Sequence, residues 1–265
     1  MPGRDRIYRT EAVVLRRQDL GEADRLITAF SPEYGKLRLV AKGVRRPSSR
    51  KSGHLEPFTR VMLLLARGRD LDIITQAEAI ELYANLRTDL MRVGHAAYVI
   101  ELLDKFTVAA SGESQALYRL LLNSLDRLNV GADPGCTVLY YELRLLDLVG
   151  YRPQLFQCVN CSAEIRPQDQ YFSPEEGGVL CPDCGRKRPG SRRISLPALK
   201  VLRHFQRSTY ASSASVSIRQ PVSAEVDGLL EDYLSYLLER RLNAPGFLRH
   251  VRRLMHAESA GQPES

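Results

Sequence analysis

Four of the five cysteines stand as Cys158-Val-Asn-Cys161 and Cys181-Pro-Asp-Cys184, two C-x2-C pairs separated by nineteen residues. Each Cys-x-x-Cys turn aims both sulfurs at one point, so two turns at this spacing predict a tetrahedral four-thiolate zinc site. The intervening segment carries Pro167, Pro174, Gly177 and Gly178 and few apolar side chains, so the lobe needs an ion to hold it together. With every ligand a thiolate, no position is left for water, and one structural Zn2+ is expected. Gly185, directly after the second pair, is expected to permit the tight turn. Two disulfides or a redox dithiol are the competing uses, both disfavoured in a chain without a secretion signal. Cys136, unpaired in spacing, is expected as a packed core residue.

A second chemistry lies in Ala23–Lys51. Leu37, Leu39 and Ala41 alternate with Lys36, Arg38, Val40 and Lys42. Three of the last four are basic, so their face is not a dry core face. The cationic run continues through Arg45, Arg46, Arg50 and Lys51 in a Pro/Ser segment too polar to pack. Such a basic sheet face with a mobile basic loop suits a polyanion, and these seven residues are the candidate phosphate contacts. Tyr34 is a candidate base-stacking side chain, whereas Phe58, beside Pro57, is expected to be buried. An ordinary solvated strand face is the alternative reading.

Charge distribution bears on the choice. The net charge is +7, and residues 1–53 hold thirteen Lys/Arg against six Asp/Glu, so the N-terminal fifth carries the whole excess. Concentration in one segment favours a nucleic-acid or acidic-lipid face, and the lack of a basic amphipathic helix counts against lipid. A mean hydropathy of -0.26 and the lack of a long apolar run exclude a membrane helix. No apolar signal segment opens the chain, which makes a cytoplasmic location the expectation.

No catalytic constellation is present. The sequence has no P-loop, G-x-S-x-G or H-E-x-x-H, and its five histidines are scattered. Asp19, Glu22 and Asp24 form a small acidic cluster of the kind a metal-dependent nuclease uses. They sit beside a turn without partner carboxylates on the next strand, so Glu22 and Asp24 read as turn and salt-bridge residues.

The elements that must position these groups follow from periodicity. The first 80 residues hold five short period-2 runs punctuated by turns. Five strands suit a small barrel, of which the OB-fold is the commonest nucleic-acid binder, and an open five-stranded sheet fits equally well. From residue 81 the period becomes helical, with Leu82, Leu86, Leu90, Val93, Ala97, Ile100 and Phe106 as one stripe and Glu113–Leu128 as a second helix. Asp133-Pro134 opens a third helix that Gly150 ends. Ser195 caps a helix bearing Leu199, Leu202 and Phe205, and Val226 to Leu238 build the last. The expected organisation is 1–80 a five-stranded DNA-binding domain, 81–154 and 191–252 the two parts of a helical domain, 155–190 the zinc lobe, and 253–265 a disordered tail. Arg186, Lys187, Arg188, Arg192 and Arg193 follow the cysteines as possible secondary phosphate contacts.

Together these pieces resemble the RecO family of bacterial recombination mediators. The resemblance rests on Glu11-Ala12-Val13-Val14-Leu15, Gly21-Glu22-Ala23-Asp24-Arg25-Leu26, Tyr34-Gly35-Lys36-Leu37, Val40-Ala41-Lys42-Gly43-Val44-Arg45-Arg46 and Leu55-Glu56-Pro57-Phe58. It continues through Leu148-Val149-Gly150-Tyr151-Arg152-Pro153 and the paired cysteines, covering roughly residues 5–250. Many family members lack some or all of the cysteines. The resemblance implies an α+β chain, an N-terminal five-stranded OB-fold followed by a helical domain carrying a zinc lobe. It implies a non-enzymatic role in recombinational DNA repair: binding single- and double-stranded DNA, annealing complementary strands, and working with RecR. It further implies action on DNA coated by the single-stranded DNA-binding protein, contact with that protein's acidic C-terminal tail, and help in loading RecA. A different class remains open from the residues alone, a zinc-stabilised adaptor whose basic face binds acidic protein tails.

Overall fold

Alternating apolar residues build five strands: β1 (Ile7–Leu20), β2 (Asp24–Ser31), β3 (Gly35–Ala41), β4 (Arg60–Ala66) and β5 (Asp72–Glu81). The computed structural model describes residues 6–108 and 114–242. β1 is long enough to pair with both β2 and β4, bending at a bulge between Val14 and Arg16. β2 and β3 form the expected hairpin, in register from Arg25↔Ala41 to Ser31↔Gly35, and Gly35 takes a φ of +63° at the turn. The strand order β1-β2-β3-β5-β4 returns to β1 as a closed ring. Its interior is apolar and dry, with Ala12, Val14, Ile27, Leu39, Val61, Leu63, Leu65 and Ile74 each at most 1% exposed.

The expected fold class, an N-terminal five-stranded OB-fold barrel followed by an α-helical domain with an inserted zinc lobe, needs correction in two respects. The ring is joined at β3–β5 by only two residue pairs, Leu39↔Asp72 and Val40↔Ile73, and these run parallel. The helices are also not a separate following domain. The chain divides into two compact units, Met1–Gly131 and Ala132–Ser265, so the first helices fold with the sheet. These are α1 (Ala84–Arg87), α2 (Leu90–Phe106) and α3 (Ser114–Val130). α2 packs on β1, and α3 packs on β2 and β3. They cover Val13, Thr28 and Phe30, so part of the sheet's outer face is as dry as its inner one. Tyr118 donates to Glu11 Oε1 at 2.7 Å, and the Arg60 Nε donates to the same oxygen at 2.6 Å. Burial raises the Glu11 carboxyl, but these two donors outweigh it and hold the group below the usual range.

The predicted single stripe from Leu82 to Phe106 is interrupted. β5 runs on to Glu81, and Asp89 restarts the helix by accepting from the Met91 and Arg92 amides. Leu82 and Leu90 are consequently exposed, while α2 buries His95, Tyr98, Val99, Leu102, Leu103 and Phe106. The start of the second helix at Glu113 lies outside the described residues.

The second unit opens with α4 (Pro134–Leu148), capped by Asp133, and Gly150 ends it at a φ of +81°. It continues with β6 (Gln170–Ser173), β7 (Gly178–Leu180), α5 (Pro182–Gly185) and β8 (Arg192–Ile194), in sheet order β7-β6-β8. α6 (Leu196–Arg207), α7 (Tyr210–Ala214) and α8 (Val222–Leu242) complete it. Ser195 caps α6, and Leu199, Leu202 and Phe205 are fully buried beside Leu230 and Leu234. Cys136 is half-buried on the first turn of α4 rather than sealed in the core. The expected tail 253–265 and the end of the second helical part, 243–252, lie outside the described residues.

Candidate nucleic-acid interface and metal centre

β3 presents its basic residues as the alternation requires: Leu39 and Ala41 are buried, Arg38 is exposed, and Lys42 follows exposed at the strand's end. The segment after β3 is not the mobile loop its polarity suggests. Val44 and Leu55 are fully buried anchors within it. Asp24 Oδ1 accepts from the Gly43 amide at 2.7 Å, and the Arg45 amide donates to Ala23 O at 3.0 Å. A few apolar side chains thus fix a polar segment's backbone and leave its charges outside.

The seven candidate cations separate into two groups. Lys36 Nζ donates to the Asp104 carbonyl at 2.8 Å and lies 2.5 Å from its carboxylate, at the C-terminal end of α2. Arg45 donates to Gly21 O at 3.0 Å and pairs with Asp19 at 3.6 Å. Lys51 Nζ donates to Ile74 O at 3.0 Å and Lys42 O at 3.3 Å, and its burial pulls the ammonium below the usual lysine range. Arg38, Lys42, Arg46 and Arg50 are exposed and make no side-chain hydrogen bond or ion pair among the described residues. Tyr34, 38% exposed, sits 4.9 Å from the Tyr8 ring, while Phe58 is buried.

The sheet adds two cations that strand patterning did not single out. Thr28 is flanked by Arg16 on β1 and Arg38 on β3, so the two guanidinium groups share one face. Arg9 pairs across to Leu64 and lines a groove of about 650 Å³ with Arg50, Lys51, Gln76 and Glu78. The signal was their period-2 position in β1, which becomes informative only when the strand neighbours are known. Asp24 and Asp19 are engaged by Gly43, Arg25 and Arg45.

In the second unit the four cysteines converge. Their sulfurs all lie within 4.8 Å of one another, and Cys161 Sγ is 3.8 Å from Cys181 Sγ. A tetrahedron with metal–sulfur bonds of about 2.3 Å has sulfur–sulfur edges of about 3.8 Å, so this donor set fits zinc. The Cys181 amide donates to Cys158 Sγ at 3.3 Å, and Asn160 Nδ2 donates to Cys184 Sγ at 3.2 Å. Burial opposes ionisation of Cys158, yet the amides of Cys161, Cys181 and Asn160 outweigh it and bring the thiol down to about 6. For Cys184 the Asn160 donor pulls down, but the neighbouring sulfurs push the thiol up to about 12. Four sulfurs this close do not share negative charge comfortably without a cation among them.

The turns differ from expectation at one residue. The left-handed position is Ser162, with a φ of +61°, in the first knuckle. Gly185 is helical; it is required because a Cβ there would lie 2.4 Å from the Tyr171 side chain. Among the following cations, Arg186, Arg188, Arg192 and Arg193 are ion-paired with Asp183, Glu176, Asp232 and Asp169. Lys187 is exposed and unpaired among the described residues.

Comparison with known proteins agrees with this arrangement. The family described as Recombination protein O N terminal matches residues 6–83, and Recombination protein O C terminal matches residues 87–245. The chain belongs to the RecO family. A relative from Roseiflexus sp. (strain RS-1), named DNA repair protein RecO, is 44% identical over 256 residues, spanning 97% of this chain and 90% of the relative. RecO proteins of the same name from Desulforudis audaxviator and Desulforamulus reducens are 38% and 37% identical, each over 92% of this chain and 97% and 94% of their own length. Among the described residues no helix is long and apolar enough to cross a membrane.

Proposed function

We propose that this chain is a non-enzymatic mediator of recombinational DNA repair that binds single- and double-stranded DNA and anneals complementary strands. In this role it works with RecR and the acidic tail of the single-stranded DNA-binding protein, and helps RecA load. Membership of the RecO family supports the role. The observation that carries the DNA-binding face is the set of four cations without a partner among the described residues, Arg38, Lys42, Arg46 and Arg50, on a fixed backbone. The fixed backbone holds the cations on one surface without an ordering cost for the segment, and the counterions released from phosphates drive association. Lys36, Arg45 and Lys51 add charge to the same surface while holding its scaffold. Annealing requires no covalent step: screening phosphate repulsion and holding two strands close lowers the encounter barrier. A single structural Zn2+ on Cys158, Cys161, Cys181 and Cys184 is part of the proposal.

The test is annealing of two complementary fluorescent oligonucleotides at several salt concentrations. Wild type should accelerate it, and Arg38→Ala with Arg46→Ala should lose most of the acceleration and flatten the salt dependence. Acceleration by the variant equal to wild type would remove the N-terminal face from the mechanism.

A further inference from the structure

The second unit holds a pair of like charges that form no ion pair with a carboxylate among the described residues. Arg203 and Arg207, one turn apart on α6, both lie over the Phe156 ring, their guanidinium carbons 4.9 and 3.6 Å from its centroid. They line a groove of about 700 Å³ together with His204, Glu164 and Ile165. Arg203 Nε is spent on the Leu155 carbonyl at 2.9 Å. Arg207 is exposed, and its side chain makes no hydrogen bond or ion pair among the described residues. Glu164 lies near enough to favour the Arg203 charge but forms no ion pair with either arginine within 4.0 Å. Burial and the neighbouring Arg207 charge both push the Arg203 guanidinium below its usual range. This contrasts with Arg186, Arg188, Arg192 and Arg193 in the same unit, each of which has a carboxylate.

Two guanidinium groups held together by one aromatic ring, with Glu164 nearby but ion-paired to neither, are arranged for an anion supplied from outside. We propose that the Arg203–Arg207–Phe156 groove binds a backbone phosphate of single-stranded DNA, giving the second unit a phosphate site of its own. The inference rests on the reading that this chain binds DNA. A phosphate fits better than an acidic peptide because the groove has little apolar surface to offer. Phe156 is covered by the two arginines, and Ile165 is only 5% exposed. Contact with the ring restrains both guanidinium groups, and guanidinium N–H groups suit bidentate contact with phosphate oxygens. Because α6 buries Leu199, Leu202 and Phe205 in the core, the helix that carries the arginines is held by the fold, not by the ligand.

The experiment measures binding of a fluorescent oligo-dT to the full chain across a salt series, with wild type, Arg207→Ala and Arg207→Glu. Arg207 is exposed, so both variants should keep the wild-type unfolding midpoint. Arg203→Ala, at the half-buried position, serves as a second variant. The expected result is about tenfold weaker binding for Arg207→Glu, and a salt slope shallower by about 0.7 for each phosphate no longer neutralised. Unchanged affinity and slope in every Arg203 and Arg207 variant would overturn the site, whether or not Arg38→Ala weakens binding. If wild type itself shows no salt-sensitive binding, the DNA-binding reading fails and this site with it. Binding of an Asp/Glu-rich peptide that the Arg207 variants abolish, with oligo-dT binding unaffected, would overturn it in favour of a protein ligand.

Discussion

The ammonium of Lys51 donates to the carbonyl oxygen of Ile74 at 3.0 Å, and the same group reaches Lys42 O at 3.3 Å. Lys42 follows β3 and Ile74 lies in β5, the two strands joined by only two residue pairs. Where the parallel ladder stops, a side chain supplies the hydrogen bonds in place of a third pair. A cation that composition assigns to solvent therefore closes the weakest seam of the sheet.

Lys51→Met should loosen that seam by leaving two carbonyls without this donor. A loss of about 1–2 kcal/mol is expected in urea denaturation. Hydrogen exchange should rise first at β3 and β5. Exchange unchanged at both strands would mean the ammonium is incidental to closure.

Lys36 and Arg38 should respond differently, although they stand two residues apart on one strand. Arg38→Ala should weaken oligonucleotide binding several-fold and leave the unfolding midpoint in place, because the Arg38 guanidinium has no hydrogen-bond or ion-pair partner among the described residues. Lys36→Met removes the partner of the Asp104 carboxylate and carbonyl. It should lower stability by about 1 kcal/mol as well as changing affinity. Equal effects of both substitutions on stability would contradict this division.

Glu101 on α2 gives the fold a pH dependence near neutrality. Burial raises its carboxyl to about 7, with Asp104 adding to the rise and Lys105 and Arg16 opposing it. A carboxyl with a raised folded value binds its proton more tightly in the folded state. Stability therefore falls as pH increases from the unfolded value near 4.5 through about 7. Glu101 is only about half buried, so the effect is of order 1 kcal/mol after solvent screening. Glu101→Gln should flatten the decline between pH 5 and 8, read as unfolding midpoints at matched ionic strength; an unaltered decline would assign it to other groups.

Metal analysis should find one zinc per chain, and a strong chelator should unfold the β6–β8 lobe while the circular dichroism of the first unit survives. Cys158→Ser, at the most buried of the four sulfurs, should lose the ion and lower the second unit's unfolding midpoint. A metal-free chain with an unchanged midpoint would show that hydrogen bonds alone hold the lobe.

Local physics made much of this protein legible in its sequence. The β2–β3 hairpin, the Asp133 and Ser195 caps, the Gly150 stop and each Cys-x-x-Cys turn depend on residues within a few positions of one another, and the spacing of the two turns predicts their convergence on one ion. A single chain's spacing states them. The helix restart at Asp89 is hidden from such reading, because a capping aspartate and a solvent-facing one look alike without neighbours. What distant segments do to one another could not be read locally. Helices α2 and α3 bury Phe30 and Thr28 on the sheet's outer face, the face that carries Lys36 and Arg38 on β3. Lys36, Arg45 and Lys51 match Arg38, Lys42, Arg46 and Arg50 in type and spacing, yet carbonyls and carboxylates from remote segments engage the first three. Arg203 and Arg207 flank an ordinary amphipathic stripe until the fold brings Phe156 beneath them. The sequence determines where charge and sulfur lie along the chain; the tertiary structure decides which charges are already neutralised, because that depends on groups that only folding brings within about 4 Å.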